Sequence, residues 1–247
     1  MKASAFLFRY RMAINLAIVV LGLWAPWIQF WGIGTRISLL EWLALELSRT
    51  GLLSFTIATP VVILCGAFIA AIGAILRVWG SAWLGHGVVL HSQMQAGSLM
   101  ADGPYRYVRN QLYLGIAFMF AALALLMPVS GALFVLVVAP LFLFSLTLAE
   151  EAFLTAQFGE PYRIYLRSVP RLIPRLRTTL TPSGNKPHWL QGLLSEITPI
   201  GVFFTIAVLS WTYDTHLMDR AIAVSFGISL VVRAFMPGTL RTSNSPE

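Results

Sequence analysis

Long apolar stretches alternate with shorter polar ones along most of the chain. Residues 52–76 contain no charged residue, and neither do residues 112–149, although the sequence MPVSG interrupts that second stretch at 127–131. A helix needs about 20 apolar residues to cross a bilayer core of roughly 30 Å. The pattern therefore predicts one transmembrane helix over 52–76 and, over 112–149, two helices joined by a tight turn as a helical hairpin.

Three further apolar segments predict three more transmembrane helices. The first, residues 12–31, follows a basic N-terminus and so resembles a signal peptide, but it is longer than the apolar part of such a peptide and lacks a clear cleavage site. We interpret it as a retained span whose far end carries interfacial tryptophans. The other two segments, at about 196–213 and 220–236, are weaker.

Residues 35–50 have a different pattern. Apolar side chains recur there at helical spacing, with Arg36, Glu41, Glu46 and Arg49 between them. A helix with one apolar and one charged face lies at the bilayer surface instead of crossing the bilayer. We therefore predict an interfacial amphipathic helix.

The composition indicates an integral membrane protein. Of the 247 residues, 57% are hydrophobic and the mean hydropathy is +0.77, whereas soluble domains are roughly 45–50% apolar. The predicted fold class is all-α, a polytopic membrane protein with about six transmembrane helices and the interfacial helix. We divide the chain into N-terminal helices (1–76), a core (77–177), a linker (178–187) and a C-terminal helix pair with a tail (188–247).

The net charge of +7 is explained by the predicted topology. Cytoplasmic loops of membrane proteins carry an excess of Lys and Arg. With the N-terminus inside, 14 of the 17 basic residues fall on the cytoplasmic side, and only Arg36, Arg49 and Arg220 fall on the other. We therefore predict six spans with cytoplasmic N- and C-termini, and no nucleic-acid partner is needed to account for the charge.

No metal site is predicted. The single cysteine, Cys65, lies inside an apolar stretch, and the four histidines lack the spacing of metal ligands. His86 and His91 lie in a polar loop predicted for residues 81–111. They either line a pocket or, as we favour, are solvated loop residues.

Two polar segments flank the hairpin. Because a helical hairpin returns the chain to the same membrane face, residues 105–113 and 150–171 are expected to meet on the cytoplasmic side as one pocket. A turn at Gly103-Pro104 precedes the next helix and is followed by polar side chains: Tyr105, Arg106, Tyr107, Arg109, Asn110 and Gln111. Donors at a helix start favour an anion. The alternative is that these residues only anchor the chain at the headgroup level.

The second polar segment begins with Glu150 and Glu151, which are predicted to end the hairpin. Neighbouring residues of a helix point about 100° apart, so at most one of the two is expected to face a shared pocket. The alternative is a solvated helix terminus. Acidic residues near a membrane usually have a partner, and this favours a functional interpretation.

Two motifs flank the hairpin: GPYRYVRNQLYLG at 103–115 and EEAFLTAQFGEPYRIYLRSVPRLIP at 150–174. Together they resemble the motifs of the isoprenylcysteine carboxyl methyltransferases and the related phospholipid methyltransferases. The pattern of that family is Gly-x-Tyr-x-x-x-Arg-His-Pro-x-Tyr, a hairpin, Glu-Glu, Phe-Gly, and Tyr-x-x-Tyr before Val-Pro. The resemblance covers about residues 77–174, so the core at 77–177 is similar to a methyltransferase.

The resemblance implies an enzyme that binds S-adenosylmethionine in a cytoplasmic pocket and methylates a lipid-like or prenylated small substrate in the bilayer. Its implied cofactor contacts are Gly97, Ser98, Leu99, Met100, Tyr105, Asn110, Gln111, Leu112, Tyr113 and Glu150. Arg109 is expected to support the pocket as a catalytic residue. If the acceptor is an amine, Glu151 or a tyrosine is a candidate to receive its proton.

Two departures from the family pattern bear on the cofactor site and on the substrate, respectively. Asn110-Gln111 replaces His-Pro, and Leu146 stands where the prenylcysteine enzymes have an arginine for the substrate carboxylate. Prenylcysteine is therefore disfavoured, while carboxylate O-methylation and head-group N-methylation both stay open. The alternative functions are a catalytically silent membrane sensor of the same fold and an enzyme similar to the membrane sterol reductases.

Overall fold

The structure, a computed structural model, describes residues 2–24, 37–84, 102–178, 180–182, 184, 186–212 and parts of 220–231. This part of the chain is all-helical, which confirms the all-α part of the predicted fold class. Its helices are α1 (Lys2–Arg9), α2 (Arg11–Leu23), α3 (Leu39–Arg49), α4 (Phe55–Trp83), a short 3₁₀ helix (Gly103–Arg106), α5 (Gln111–Ala124), α6 (Val129–Phe158), α7 (Glu160–Ser168), α8 (Trp189–Ser195) and α9 (Ile197–Thr212).

Among the described residues, α4 and α6 are long and apolar enough to cross a membrane. Helices α8 and α9 would form a third span if they are taken together, with a bend of 69° between them. Helices α2 and α5, of 13 and 14 residues, are shorter. The far end of the first predicted span and most of residues 220–236 lie outside the described residues. Six spans with cytoplasmic termini therefore stay a prediction.

Helix α4 is longer than the sequence pattern predicts. It begins after Ser54 and continues past residue 76 to Trp83. The helix continues because its polar residues there, Arg77 and Ser81, bind a buried acidic side chain of the C-terminal part instead of turning to water. The loop predicted for 81–111 is correspondingly shorter, and most of it, residues 85–101, lies outside the described residues.

The predicted helical hairpin is confirmed. Helices α5 and α6 are joined at residues 125–128, where Pro128 directly precedes α6. The prediction that the hairpin ends at Glu150-Glu151 is wrong. Helix α6 continues to Phe158, because residues 152–158 include neither glycine nor proline, and it ends at Gly159, whose φ of 64° favours glycine.

The hairpin packs against α2 to form the main apolar core, which includes Ile18, Phe120, Met127, Val135 and Leu143. The backbones of α2 and α6 touch where a Cβ atom on Gly131 would lie 1.8 Å from the carbonyl oxygen of Gly22. Small residues allow this close approach, and helices in a membrane associate mainly through such packing. Helix α2 is thereby held along α6.

Helix α3 forms where the amphipathic helix is predicted. Ser38 and Glu41 cap its N-terminus reciprocally, since the Ser38 backbone N–H donates to the Glu41 carboxylate at 2.8 Å and the Glu41 N–H donates to the Ser38 hydroxyl at 3.2 Å. Leu40 is buried against Val62 and Ile63 of α4. The helix is confirmed, and its position at the bilayer surface stays a prediction.

Candidate functional site

The two polar segments that flank the hairpin meet in the structure, as predicted. The backbone N–H groups of Arg109 and Asn110 donate to the carbonyl oxygens of Pro170 and Arg171, at 2.9 and 3.3 Å. The N–H of Arg175 returns a bond of 3.0 Å to the carbonyl oxygen of Tyr107. The chain after α7 therefore runs along the turn that begins α5, and both segments lie at the end of α6.

One carboxylate organises this contact. Glu151 accepts hydrogen bonds from Arg109 Nε at 3.1 Å, from Asn110 Nδ2 at 3.1 Å and from Arg171 Nη2 at 2.7 Å. These four residues are called the Glu151 cluster below. The side chains of Glu151 and Arg109 are only 7% and 8% exposed. Buried charges are tolerated when they are paired and hydrogen-bonded in this way.

The cations of the Glu151 cluster are satisfied on their other sides as well. Arg109 Nη1 donates to the carbonyl oxygens of Leu166 and Val169, the latter at 2.7 Å. The Arg171 guanidinium lies 5.6 Å from the centre of the Phe144 ring, and its hydrogen bond to Glu151 raises the pKa of Arg171. Because Glu151 is held by three donors, the geometry favours a structural role for it over the proton-accepting role considered from the sequence.

Glu150, the preceding residue of α6, has different surroundings. Its carboxylate is hydrogen-bonded by the Tyr113 hydroxyl of α5, and the positive charge of Arg11 from α2 lies near both. Tyr105 is close enough for the charge of Glu150 to affect its hydroxyl. We call these four residues the Glu150 edge. Two neighbouring carboxylates thus face different environments, as helical geometry requires.

Three tyrosines pack together where the two polar segments meet. The Tyr165 hydroxyl donates to the carbonyl oxygen of Tyr105 at 2.8 Å, and the Tyr162 and Tyr165 rings lie 5.8 Å apart. Burial is the main cause that raises the pKa of Tyr105 and Tyr165, and it raises the pKa of Tyr162 to about 12. All three phenols are therefore protonated at neutral pH, so none of them is a ready proton acceptor.

The polar side chains after Gly103-Pro104, considered from the sequence as donors to an anion, contact protein acceptors in the structure. Besides Arg109 and Asn110 in the Glu151 cluster, Arg106 Nε donates to the carbonyl oxygen of Leu180 at 3.0 Å. Gln111 Nε2 donates to the carbonyl oxygen of Leu76 at 3.2 Å. Each of these side chains already has a protein acceptor, because the chain after α7 and helix α4 pack against them.

The first turn of α5 divides the predicted cofactor contacts between two sides. Asn110 and Tyr113 face the carboxylates of α6. Gln111 and Leu112 face α4, where a Cβ atom on Gly80 would lie 2.9 Å from the Leu112 side chain and 3.2 Å from that of Gln111. Tyr105 also reaches α4. The predicted contacts Gly97, Ser98, Leu99 and Met100 lie outside the described residues, as do His86 and His91.

Sequence reasoning did not single out three charged residues that the structure places around the site. Arg171 joins the Glu151 cluster, and Arg77 of α4 pairs with Glu196 at the end of α8, with an Arg77 Nη2 to Glu196 Oε1 distance of 2.8 Å. The sequence does contain a signal for Arg77 and Glu196, because isolated charges beside long apolar stretches are costly and are usually functional or paired. Nothing in the sequence shows which of the distant charges pair.

A cavity of about 590 Å³ lies between α4 and the α8–α9 pair. Its walls are apolar and include Trp79, Trp189, Leu193 and Phe203. It lies on a different face of α4 from the one that contacts Gln111 and Leu112. Among the described residues, no cluster of three or more His, Cys, Asp or Glu side chains forms a metal-binding group.

Residues 61–161 match the family model for phospholipid methyltransferase. The match covers less than half of the 247 residues, and it includes most of α4, the whole hairpin and both glutamates. It confirms the resemblance to the phospholipid and isoprenylcysteine carboxyl methyltransferases, and it ends before α8 and α9. Comparisons with curated proteins and with solved structures gave no match.

Proposed function

We propose that this chain, with its phospholipid methyltransferase segment, is an integral membrane enzyme that transfers a methyl group from S-adenosylmethionine to a lipid-like acceptor. The observation that carries the proposal is the Glu150 edge. It lies inside the matched segment, beside the turn and helix start that resemble the cofactor motif of the family. Unlike Glu151, Glu150 has no arginine hydrogen-bonded to it in the described part of the chain.

The residues at the Glu150 edge suit the polar end of such a cofactor. An ionised carboxylate is acceptor-only, so Glu150 can receive hydrogen bonds from an ammonium group or from ribose hydroxyls, and the Tyr113 hydroxyl orients it. We assign Gly97, Ser98, Leu99, Met100, Tyr105, Asn110 and Tyr113 as further cofactor contacts, together with Gln111 and Leu112 through their backbone, because their side chains face α4. Arg109 and Glu151 support the site by holding the chain after α7 against the start of α5.

When bound, S-adenosylmethionine would supply a methyl group on its sulfonium: the acceptor's lone pair would form the new bond to the methyl carbon in line, while the carbon–sulfur bond breaks and the neutral thioether leaves. The protein contributes alignment of the two reactants and exclusion of water. Since Glu151 is held by three donors and the three tyrosines are protonated, Glu150 is the remaining candidate among them to take a proton from an amine. A carboxylate acceptor needs no base, because it is already ionised at neutral pH.

The apolar helices support a lipid-like acceptor. Helices α4 and α6 are apolar enough to lie in a bilayer, so an acceptor in the bilayer can reach the end of α6. Leu146 is 1% exposed and apolar, which leaves no charge at that position for a prenylcysteine carboxylate. We place the site on the cytoplasmic side, because most Lys and Arg residues fall on that side of the predicted topology.

The first test is cofactor binding by purified protein in detergent. S-adenosylmethionine is expected to raise the unfolding temperature of the wild type, and Glu150→Ala is expected to abolish that increase. Glu160→Ala is the matched control, because Glu160 is an exposed carboxylate, 57% exposed, in a surface pair with Arg163. A wild type that shows no affinity for S-adenosylmethionine would overturn the proposal.

The acceptor class can be read from the product. Methyl-labelled cofactor is incubated with the enzyme and membrane lipids, and the labelled lipid is treated with mild base. Label released by base indicates a methyl ester and a carboxylate acceptor. Label that stays indicates an N-methylated head group, and absence of any transfer to lipid argues against a lipid acceptor.

A further inference from the structure

A buried polar cluster lies where the C-terminal helix pair contacts α4. Glu196, at the bend between α8 and α9, is 3% exposed. Its carboxylate accepts hydrogen bonds from Arg77 Nη2 at 2.8 Å, from Arg77 Nε and from the Ser81 hydroxyl. We call these three residues the Arg77 cluster. Glu196 lies outside the methyltransferase segment, whereas Arg77 and Ser81 lie inside it.

The α8–α9 pair is fixed closely to this face of α4. The His188 backbone N–H donates to the carbonyl oxygen of Ala82 at 2.7 Å. A Cβ atom on Gly192 would lie 2.9 Å from the Ala82 backbone nitrogen, so glycine is needed for the contact. The C-terminal pair is thus packed directly against α4. This packing fixes the position of Glu196 along α4.

The other side of Arg77 faces the proposed cofactor site. Arg77 Nη1 is 3.4 Å from the carbonyl oxygen of Leu112, and a Cβ atom on Gly115 would lie 2.5 Å from the Arg77 side chain. Neighbouring groups of α4 make similar contacts, since Leu76 accepts from the Gln111 side chain and Gly80 accepts from the Tyr105 hydroxyl. Residues 76–80 of α4 thus contact three of the proposed cofactor contacts, namely Tyr105, Gln111 and Leu112. Glu196 binds the same part of α4, through Arg77, on its other side.

We propose that Glu196 is a positioning residue for the methyltransferase site and that it acts through Arg77. Without the carboxylate, the half-buried guanidinium loses its main partner and turns toward water, because an unpaired buried charge is strongly unfavourable. Arg77 then leaves the Leu112 carbonyl, and the first turn of α5 loses its support. The C-terminal helix pair therefore contributes to cofactor binding, although it lies outside the segment that matches the family.

The inference rests on the proposed function, and the test separates the two. The measurements are the S-adenosylmethionine dissociation constant and the unfolding temperature of the full-length protein in detergent. We expect Glu196→Gln to weaken cofactor binding by about tenfold to a hundredfold, the size of effect that small misplacements cause in active sites. Glu46→Gln is the matched control, because it breaks only the exposed Arg49 pair, and it is expected to change neither quantity.

A second variant separates positioning from stability alone. Arg77→Met with Glu196→Gln removes both charges, so the unfolding temperature is expected to return toward that of the wild type while cofactor binding stays weak. A double variant that regains both stability and affinity would overturn the inference, because the pair would then only balance charge. So would a Glu196→Gln protein that binds as tightly as the wild type. A wild type without affinity overturns the proposed function and the inference together.

Discussion

Glu150 and Glu151 are neighbours on α6, yet the protein uses them differently. Glu151 is buried in a cluster with two arginines and an asparagine, drawn from the start of α5 and from the chain after α7. Glu150 meets a tyrosine hydroxyl and lies near Arg11, without a hydrogen-bonded arginine in the described residues. The more heavily bonded carboxylate therefore joins two distant segments to α6, whereas the less bonded one keeps acceptor capacity for the cofactor that we propose.

The distinction follows from the cost of burial. Burying a carboxylate without partners is strongly unfavourable, so the burial of Glu151 is tolerated only because three side chains donate hydrogen bonds to it. Those donors lie more than 40 residues before it or 20 residues after it in the chain, so the cluster ties two distant segments to the helix. Glu150 is half-buried whereas Glu151 is buried, so Glu150 needs fewer partners and keeps acceptor capacity beside its contact with Tyr113.

The largest expected effect is that of Glu151→Ala. It leaves the nearly buried guanidinium of Arg109 without its carboxylate, which should lower the free energy of unfolding by about 3–5 kcal/mol. Chemical unfolding in detergent, followed by circular dichroism, measures the change. Glu150→Ala serves as the comparison and should cost far less. Equal losses for the two variants would remove the contrast between the two carboxylates.

Arg171→Met should have the next largest effect. Arg171 is 36% exposed at its side chain, and Glu151 keeps Arg109 and Asn110 when it is removed. Loss of hydrogen bonds to a charged group typically costs about 1.5–3 kcal/mol, and we expect a value in that range by the same unfolding measurement. A loss as large as that of Glu151→Ala would mean that Arg171, and not the buried Arg109, dominates the cluster.

Tyr165→Phe tests the tyrosine side of the site. It removes one hydrogen bond to the Tyr105 carbonyl and leaves the ring packing in place, so it should cost about 0.5–1.5 kcal/mol. If Tyr105 contacts the cofactor, the dissociation constant for S-adenosylmethionine should rise as well. Ser168→Ala is a suitable control, because Ser168 donates only to a carbonyl of its own helix on the exposed side.

Glu150→Gln should have the smallest effect on stability and so gives the sharpest form of the comparison. Glutamine keeps an acceptor for the Tyr113 hydroxyl, so the free energy of unfolding without ligand should change by less than about 1 kcal/mol. The thermal stabilisation by S-adenosylmethionine should nevertheless be lost. A variant that is strongly destabilised without ligand would show that Glu150, like Glu151, is mainly structural.

The outline of the fold could be predicted because it depends on local features. Uninterrupted apolar residues indicated α4, MPVSG marked the turn of the hairpin, and alternating charges marked α3. The ends of helices were predicted less well. A charge after an apolar stretch usually marks the membrane surface, so the sequence predicts that helices stop at Arg77 and at Glu150. Both charged side chains have partners inside the protein instead, and their helices continue.

The apolar pattern and the motifs are enough to predict a helical membrane protein with a methyltransferase-like segment, and to predict that residues 105–113 and 150–171 meet. Which of the two glutamates is surrounded by donors, and that Glu196 binds Arg77 from outside the segment, is visible only in the packed helices. These two kinds of feature differ in the range over which the forces act. Apolar length and turn residues act locally and can be read along the chain, whereas an ion pair such as Arg77–Glu196 joins residues 119 positions apart and exists only once the helices have packed.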